Sequence, residues 1–97
     1  MSKALIINPV DNVATAIADI KPGEVVSLNV RGETRKTKVR EEILFGHKFA
    51  LRKIEKGEVV TKYGEQIGKA IKIIEAGFHV HIHNVESLRG RGDIKNT

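Results

Sequence analysis

Residues 54–60 read Ile54-Glu55-Lys56-Gly57-Glu58-Val59-Val60, and the pattern Ile-x-x-Gly-x-x-Val that they contain occurs again at residues 20–26 and 74–80. In each copy an apolar strand end leads into a polar turn, where a glycine can adopt the positive φ that other residues avoid, and the chain then enters a new strand. The copies are unequally spaced, which does not favour a solenoid. The pattern predicts a compact, mostly β domain that uses one turn design three times.

Outside these turns, short stretches typical of β-strands are separated by glycine-bearing loops. We predict strands at residues 3–8, 25–30, 35–40, 49–54, 59–63, 67–74 and 78–85. One short helix is expected after the first strand, because Asp11 is a suitable N-cap. Its apolar face would consist of Val13, Ala14, Ile17 and Ala18.

The length of 97 residues allows a single domain, since a chain this short buries only roughly 60 to 65% of its unfolded surface. We expect that domain to span residues 3–85. Residues 86–97 contain few apolar side chains and are expected to form a flexible tail.

The composition excludes several classes of protein. Hydrophobic residues make up 40% of the chain and charged residues 30%, values typical of a globular domain rather than a disordered chain. The absence of cysteine excludes a disulfide framework, a thiolate zinc site and a cysteine nucleophile. No apolar run approaches the roughly 20 residues of a membrane span, and the first residues lack a signal-peptide pattern. We therefore expect a cytoplasmic protein without a membrane partner.

The charge pattern indicates an anionic partner. The formal net charge is +5 and the isoelectric point is near 9.7. Residues 31–40 carry five cations against one acid, Glu33, and are expected to form a solvent-exposed hairpin. Aromatic residues make up only 4% of the chain and are not interleaved with the cations, so base stacking on this hairpin is not favoured. A nucleic-acid partner is therefore not expected.

The strongest candidate for chemistry is the stretch Phe78-His79-Val80-His81-Ile82-His83-Asn84. In a strand, alternate side chains share a face, so the three histidines would point one way, with Val80 and Ile82 directed into the core. Three imidazoles on one face are suitable ligands for Fe(II), Mn(II) or Zn(II). The alternative is a polar strand face with neutral, hydrogen-bonded histidines. Asn84 adds an amide that could hold a substrate oxygen.

Two other segments are weaker candidates. Gly46-His47-Lys48 lies in a loop before a predicted strand, which can direct His47 and Lys48 into a site, although a solvated turn explains the same residues. Lys62-Tyr63-Gly64 begins a turn with two glycines that matches neither the Walker A nor the dinucleotide pattern. This segment is more typical of a turn than of a phosphate cradle.

Taken in order, these motifs resemble the N-terminal SAF module of the altronate/galactarate dehydratase family. The resemblance spans roughly residues 3–85 and rests on several segments in the same order. They are Asp11-Asn12-Val13-Ala14, Gly46-His47-Lys48 with residues 49–52, residues 54–57, Lys62-Tyr63-Gly64 with residues 67–68, and His79-Val80-His81 with His83-Asn84. The resemblance implies a β-clip fold of short, bent strands.

The resemblance also implies a function: a free-standing small subunit of a sugar-acid dehydratase that works with a separate large catalytic subunit. Such an enzyme removes water from a hydroxy acid with the help of a divalent metal, for which we expect Fe(II) or Mn(II). The alternative is a non-catalytic SAF module that binds a carbohydrate or a protein. The expected site residues are His47, Lys48, His81 and His83 for catalysis, Asn84, Lys62 and Tyr63 for substrate binding, and His79, His81 and His83 for the metal.

Overall fold

The computed structural model describes residues 2–88, and within them strands are the main regular secondary structure, as predicted. Its strands are β1 (Ala4–Leu5), β2 (Val13–Ala16), β3 (Val25–Val30), β4 (Glu33–Lys38), β5 (Lys48–Ala50), β6 (Val59–Lys62), β7 (Glu65–Ala70), β8 (His79–Val80) and β9 (Val85–Ser87). In this part of the chain, no helix has the length and hydropathy of a membrane span.

The strands form three antiparallel sheets. One has the order β1-β2-β5-β8, the second is the β3-β4 hairpin, and the third has the order β6-β7-β9. In the first sheet, Phe49 on β5 pairs with both Ala14 on β2 and His79 on β8. This register brings segments from three distant parts of the sequence side by side.

The repeated turn has a fourth copy that the sequence pattern missed. It runs from Ile43 through Gly46 to Phe49, where phenylalanine replaces the expected valine. The four turn glycines all have positive φ, from 85° to 92°, as the pattern requires. They are Gly23, Gly46, Gly57 and Gly77.

The four turns form two pairs, and the same pattern of backbone hydrogen bonds joins the two turns of each pair. Gly23 donates its N–H to the carbonyl of Val39, and the Val39 N–H donates to the carbonyl of Glu24. The equivalent bonds join Gly46 to Ala16, Gly57 to Ala70, and Gly77 to Ala50. Isolated bridges also pair the motif isoleucines, Ile20 with Ile43 and Ile54 with Ile74.

The apolar residues that flank each pair of turns belong to one apolar core. The buried residues of the first core are Ala4, Ala14, Ala16, Ile20, Val26, Leu28, Val39, Ile43 and Phe49. Those of the second core are Val13, Ala50, Ile54, Val60, Ala70, Ile74 and Val80. Because β2 and β5 each contribute residues to both cores, the sheet that contains them holds the two halves of the described residues together.

The predicted helix after the first strand is wrong, because β2 occupies residues 13–16. β2 lies between β1 and β5, and three of its four residues, Val13, Ala14 and Ala16, are buried. A short apolar run that is buried on both faces lacks the alternation of a half-exposed strand, so its periodicity does not distinguish it from a helix. Instead of capping a helix, the Asp11 carboxylate accepts backbone N–H groups of neighbouring turns.

The predicted strand at residues 78–85 is also wrong in its central part. β8 ends at Val80, residues 81–84 form a turn, and β9 begins at Val85. Ile82, which the alternation placed in the core, is 81% exposed. The side chain of Asn84 stabilises this turn: its Oδ1 accepts the His81 N–H and its Nδ2 donates to the His79 carbonyl.

The basic hairpin is confirmed. β3 and β4 are joined at Arg31 and Gly32, both of which have positive φ, as a two-residue turn of this kind requires. Within β4 only Thr37 is buried, so the cations of this strand are exposed. Of the predicted tail, Glu86 and Ser87 belong to β9, and residues 89–97 lie outside the described part of the chain.

Candidate functional site

Three of the four histidines form a cluster where β5 meets β8. His47 directly precedes β5, His79 begins β8, and His81 follows β8. Nδ1 of His47 lies 2.8 Å from Nε2 of His79. The three rings stack, with centroids 5.0, 4.8 and 5.2 Å apart for the pairs 47–79, 47–81 and 79–81. The β5-β8 register therefore brings together residues that the sequence separates into two segments.

The backbone of the cluster is fixed by side chains from outside it. Glu41 Oε1 accepts the N–H of His79 at 3.0 Å. Asn84 spans the turn after β8 through its bonds to the backbone of His79 and His81, at 2.7 and 3.0 Å. These contacts orient the two histidines that follow Phe78.

The surroundings favour the neutral form of His79 and His81. Burial lowers the pKa of His79, and the nearby His47, His81 and His83 lower it further, while the Glu41 carboxylate opposes them. Burial, followed by His47 and Lys48, lowers the pKa of His81 as well. The 2.8 Å contact between His47 and His79 also requires one ring nitrogen with a hydrogen and one without.

Divalent transition metals bind the neutral form of imidazole, so the protonation state favoured here is compatible with a metal site. One nitrogen from each of His47, His79 and His81 lies within 4.8 Å of the others. Three protein ligands leave coordination positions open for a substrate or water. His83, which we predicted as a ligand, is outside this group, and its ring centroid lies 5.3 Å from that of His79.

A pocket of about 330 Å³ adjoins the cluster at His81. Its polar lining includes Lys48, Lys62 and Tyr63, three residues that sequence reasoning assigned to the site. Burial, followed by the positive charge of Lys62, lowers the pKa of Lys48. Lys62 Nζ lies 4.8 Å from the centre of the Tyr63 ring. The structure thus places both lysines and Tyr63 beside one histidine of the cluster.

Asp11 and Asn12 position this part of the pocket, a role that sequence reasoning missed. The buried Asp11 carboxylate accepts the N–H groups of Tyr63 and Gly64 at 3.1 and 2.9 Å. Asn12 donates to the Val59 carbonyl and accepts from the Thr61 N–H, both at 2.9 Å. The polar pair Asp11-Asn12 beside a small apolar run was the available signal, but we interpreted it as a helix start.

Two predicted residues are placed differently from the rest. His83 is exposed and lines a second pocket of about 320 Å³, together with Glu41, Lys72 and Glu75. Asn84 is only 4% exposed, and its amide forms the turn contacts described above. The roles proposed for His83 in catalysis and for Asn84 in substrate binding stay predictions.

The comparison with known proteins agrees with the motifs. Residues 2–88 match the family model described as the altronate/galactarate dehydratase SAF domain. The chain belongs to this family. It is 46% identical over 81 residues to altronate dehydratase of Escherichia coli (strain K12), a match that covers 84% of this chain and 16% of that enzyme. With altronate dehydratase of Bacillus subtilis (strain 168), the identity is 37% over 87 residues, or 90% of this chain and 17% of the enzyme.

A third relative has nearly the same length as this SAF chain. It is the (2R)-sulfolactate sulfo-lyase subunit alpha of Chromohalobacter salexigens, 30% identical over 93 residues, which are 92% of this chain and 99% of that subunit. The SAF chain therefore corresponds to about a sixth of each altronate dehydratase and to a complete subunit of the sulfo-lyase. These relatives are lyases, which gives the histidine cluster a lyase-family context.

Proposed function

We propose that this SAF chain is the small subunit of a lyase that removes water from a sugar acid, working with a separate large catalytic subunit. The observation that carries the proposal is the His47–His79–His81 cluster beside a pocket that contains Lys48, Lys62 and Tyr63. The relatives named above supply the reaction class. In this proposal the SAF chain contributes side chains to an active site completed by the large subunit.

We assign substrate binding to Lys48, Lys62 and Tyr63, the polar residues on one side of the pocket. Loss of water from a hydroxy acid begins at a C–H bond next to a carboxylate, and negative charge grows on that carboxylate as the proton leaves. The Lys48 ammonium group would stabilise this charge, and the Lys62 ammonium group and the Tyr63 hydroxyl are suitable for other oxygens of the substrate. These groups bind the acid in the orientation that the reaction requires.

Proton transfer is assigned to His81, whereas Lys48 acts as the cation that stabilises the carboxylate. The lowered pKa of His81 favours the neutral base that can accept the proton from carbon. As the C–H and neighbouring C–O bonds break, a C=C bond forms and the hydroxyl leaves as water after it receives a proton. His47, hydrogen-bonded within the cluster, is the residue we assign to that second transfer.

A divalent metal, Fe(II) or Mn(II), is the alternative use of the same imidazole donors: His47, His79 and His81 would hold the ion, with His83 as a further candidate, and His81 and His47 would then not transfer protons. When bound, such an ion would act as a Lewis acid on the departing hydroxyl group.

The surface around the cluster supports the need for a partner. Phe45 and Ile82 are 68% and 81% exposed, and they lie within two residues of His47 and His81, respectively. Large apolar side chains exposed beside a polar site are typical of an interface. A large subunit placed here would cover both side chains and enclose the substrate.

The experiment that tests the proposal is purification of the tagged full chain from its native host, with lyase assays on the eluate and on the chain alone. We expect a large subunit to co-purify and the complex to release water from altronate or galactarate, or sulfite from sulfolactate, while the chain alone is inactive. A purified complex without lyase activity on any hydroxy acid would favour a non-catalytic binding module. Turnover by the chain alone would contradict the small-subunit assignment.

A further inference from the structure

The pocket beside His81 contains two cationic side chains without a matching acid. Within the described residues its lining includes Lys48 and Lys62 but neither aspartate nor glutamate. The ion pairs formed within residues 2–88 involve other cations, namely Lys3, Arg52 and Lys53. Both pocket lysines are half-buried. No described residue that lines the pocket supplies the compensating negative charge, which a bound anion can supply.

The two lysines converge on the pocket from different sheets. Lys48 begins β5 in the first sheet, whereas Lys62 ends β6 in the third. Two like charges directed at one pocket repel each other, and this repulsion is relieved when anions bind. A ligand with one acid group compensates one ammonium group, and a second acid group is needed for the other.

The backbone beside Lys62 supports a built site. Tyr63 has a φ of 60° in the turn between β6 and β7, where asparagine, aspartate or glycine is preferred. The Asp11 carboxylate holds this conformation through the Tyr63 and Gly64 N–H groups. The chain thus keeps Tyr63 in an unfavourable backbone conformation at the rim of the pocket. The Tyr63 ring lies beside the Lys62 ammonium group.

We propose that the pocket selects small hydroxy acids with two acid groups, one held by Lys48 beside His81 and the other by Lys62. Lys62 is then the residue that distinguishes a dianion from a monoanion. The inference deepens the proposed function and rests on it for the location of the substrate. Ligand binding by the isolated chain nevertheless tests it without the large subunit.

The test is a calorimetric titration of the full chain with malate and with lactate, at constant ionic strength and with a chelator present. Malate is lactate with one added carboxylate, so the pair isolates the second charge. We expect malate to bind at least about tenfold more tightly than lactate. Lys62→Gln should abolish this preference, because it should weaken malate binding much more than lactate binding. Lys56→Gln, at an exposed turn position, is the matched control and should retain the preference.

Equal affinities for the two acids, no detectable malate binding, or a preference that persists in Lys62→Gln would each overturn the inference. These results are distinguishable from a failure of the proposed function. An active lyase complex whose small subunit shows no preference would refute only the role of Lys62. A chain with the expected preference whose complex lacks lyase activity would refute the proposed function and leave the dianion pocket.

Discussion

Nδ1 of His47 and Nε2 of His79 lie 2.8 Å apart, although 32 residues separate them in the sequence. The contact depends on two turns of the same design, since Gly46 precedes His47 and Gly77 precedes His79 by two positions. It also means that protonation of both imidazoles would place two positive charges in direct contact. The cluster therefore makes the stability of the fold depend on pH.

We expect the metal-free chain to lose stability as the pH falls below about 6.5, the ordinary pKa of histidine. The pKa of His79 is lowered by burial and by its histidine neighbours, so the unfolded chain takes up this proton at a higher pH than the folded chain does. The free energy of unfolding is thus highest above pH 6.5 and declines as the pH falls through the lowered pKa. Thermal melting at pH 7.5 and 5.5, with a chelator, should show the decline, and His79→Asn should reduce it.

The repeated turns provide a matched pair of glycine variants. In Gly77→Ala the new Cβ would overlap the Lys38 carbonyl oxygen, whereas in Gly57→Ala it would have no neighbour within 4 Å among the described residues. Both glycines have positive φ, 85° and 89°. We expect Gly57→Ala to destabilise the chain by about 1 to 2 kcal/mol and Gly77→Ala by about 3 kcal/mol or more. Urea denaturation measures both, and equal effects would contradict the packing described for Gly77.

Asp11 should contribute more to stability than an exposed aspartate with a single contact. Its carboxylate accepts three backbone N–H groups, from Asn8, Tyr63 and Gly64. Asp11→Asn replaces one acceptor by a donor and should cost about 2 kcal/mol. Asp19→Asn is the control, because Asp19 is exposed and, within residues 2–88, accepts a single N–H group, that of Phe45; we expect a change below about 0.5 kcal/mol. Similar losses of stability in the two variants would contradict the conclusion that the three backbone contacts of Asp11 stabilise the fold.

The basic hairpin should affect assembly rather than folding. Arg35, Lys36 and Lys38 are exposed on β4, so replacing all three with serine should leave the melting temperature nearly unchanged. If an acidic surface of the large subunit faces this hairpin, the variant should assemble more weakly, mainly at low salt, where charges are least screened. Affinity measured at two salt concentrations checks this, and a loss of folding would show that these side chains pack internally.

The sequence predicted the turns well because their glycines are required by backbone conformation. Three copies were found from Ile-x-x-Gly-x-x-Val, and the copy ending at Phe49 was missed because the core accepts phenylalanine in place of valine. The strand at residues 13–16 was predicted as a helix, since its position between two other strands is a tertiary property. Local spacing contains no information about such pairing.

The candidate site was predicted in part. His79 and His81 were grouped by strand alternation, but the chain turns after Val80. The cluster instead forms through the pairing of β5 with β8, which also places His47 beside them. The contribution of Glu41 had no signal in the sequence, because its partner His79 is 38 residues away. Asp11 belonged to the motifs that carried the family resemblance, yet its contacts with residues 63 and 64 depend on the folded hairpin.

The most direct test of the central claim is the turnover of the assembled enzyme after His81→Ala, with thermal melting of the same variant. His81 is only half-buried, so the melting temperature should change little. If His81 takes part in proton transfer or holds the metal, kcat/KM should fall by on the order of 100-fold or more. His83→Ala, at the exposed histidine outside the three-histidine cluster, is the matched control and should lower kcat/KM less. Wild-type turnover in a folded His81→Ala complex would contradict the account and leave the cluster as a structural feature of a docking module.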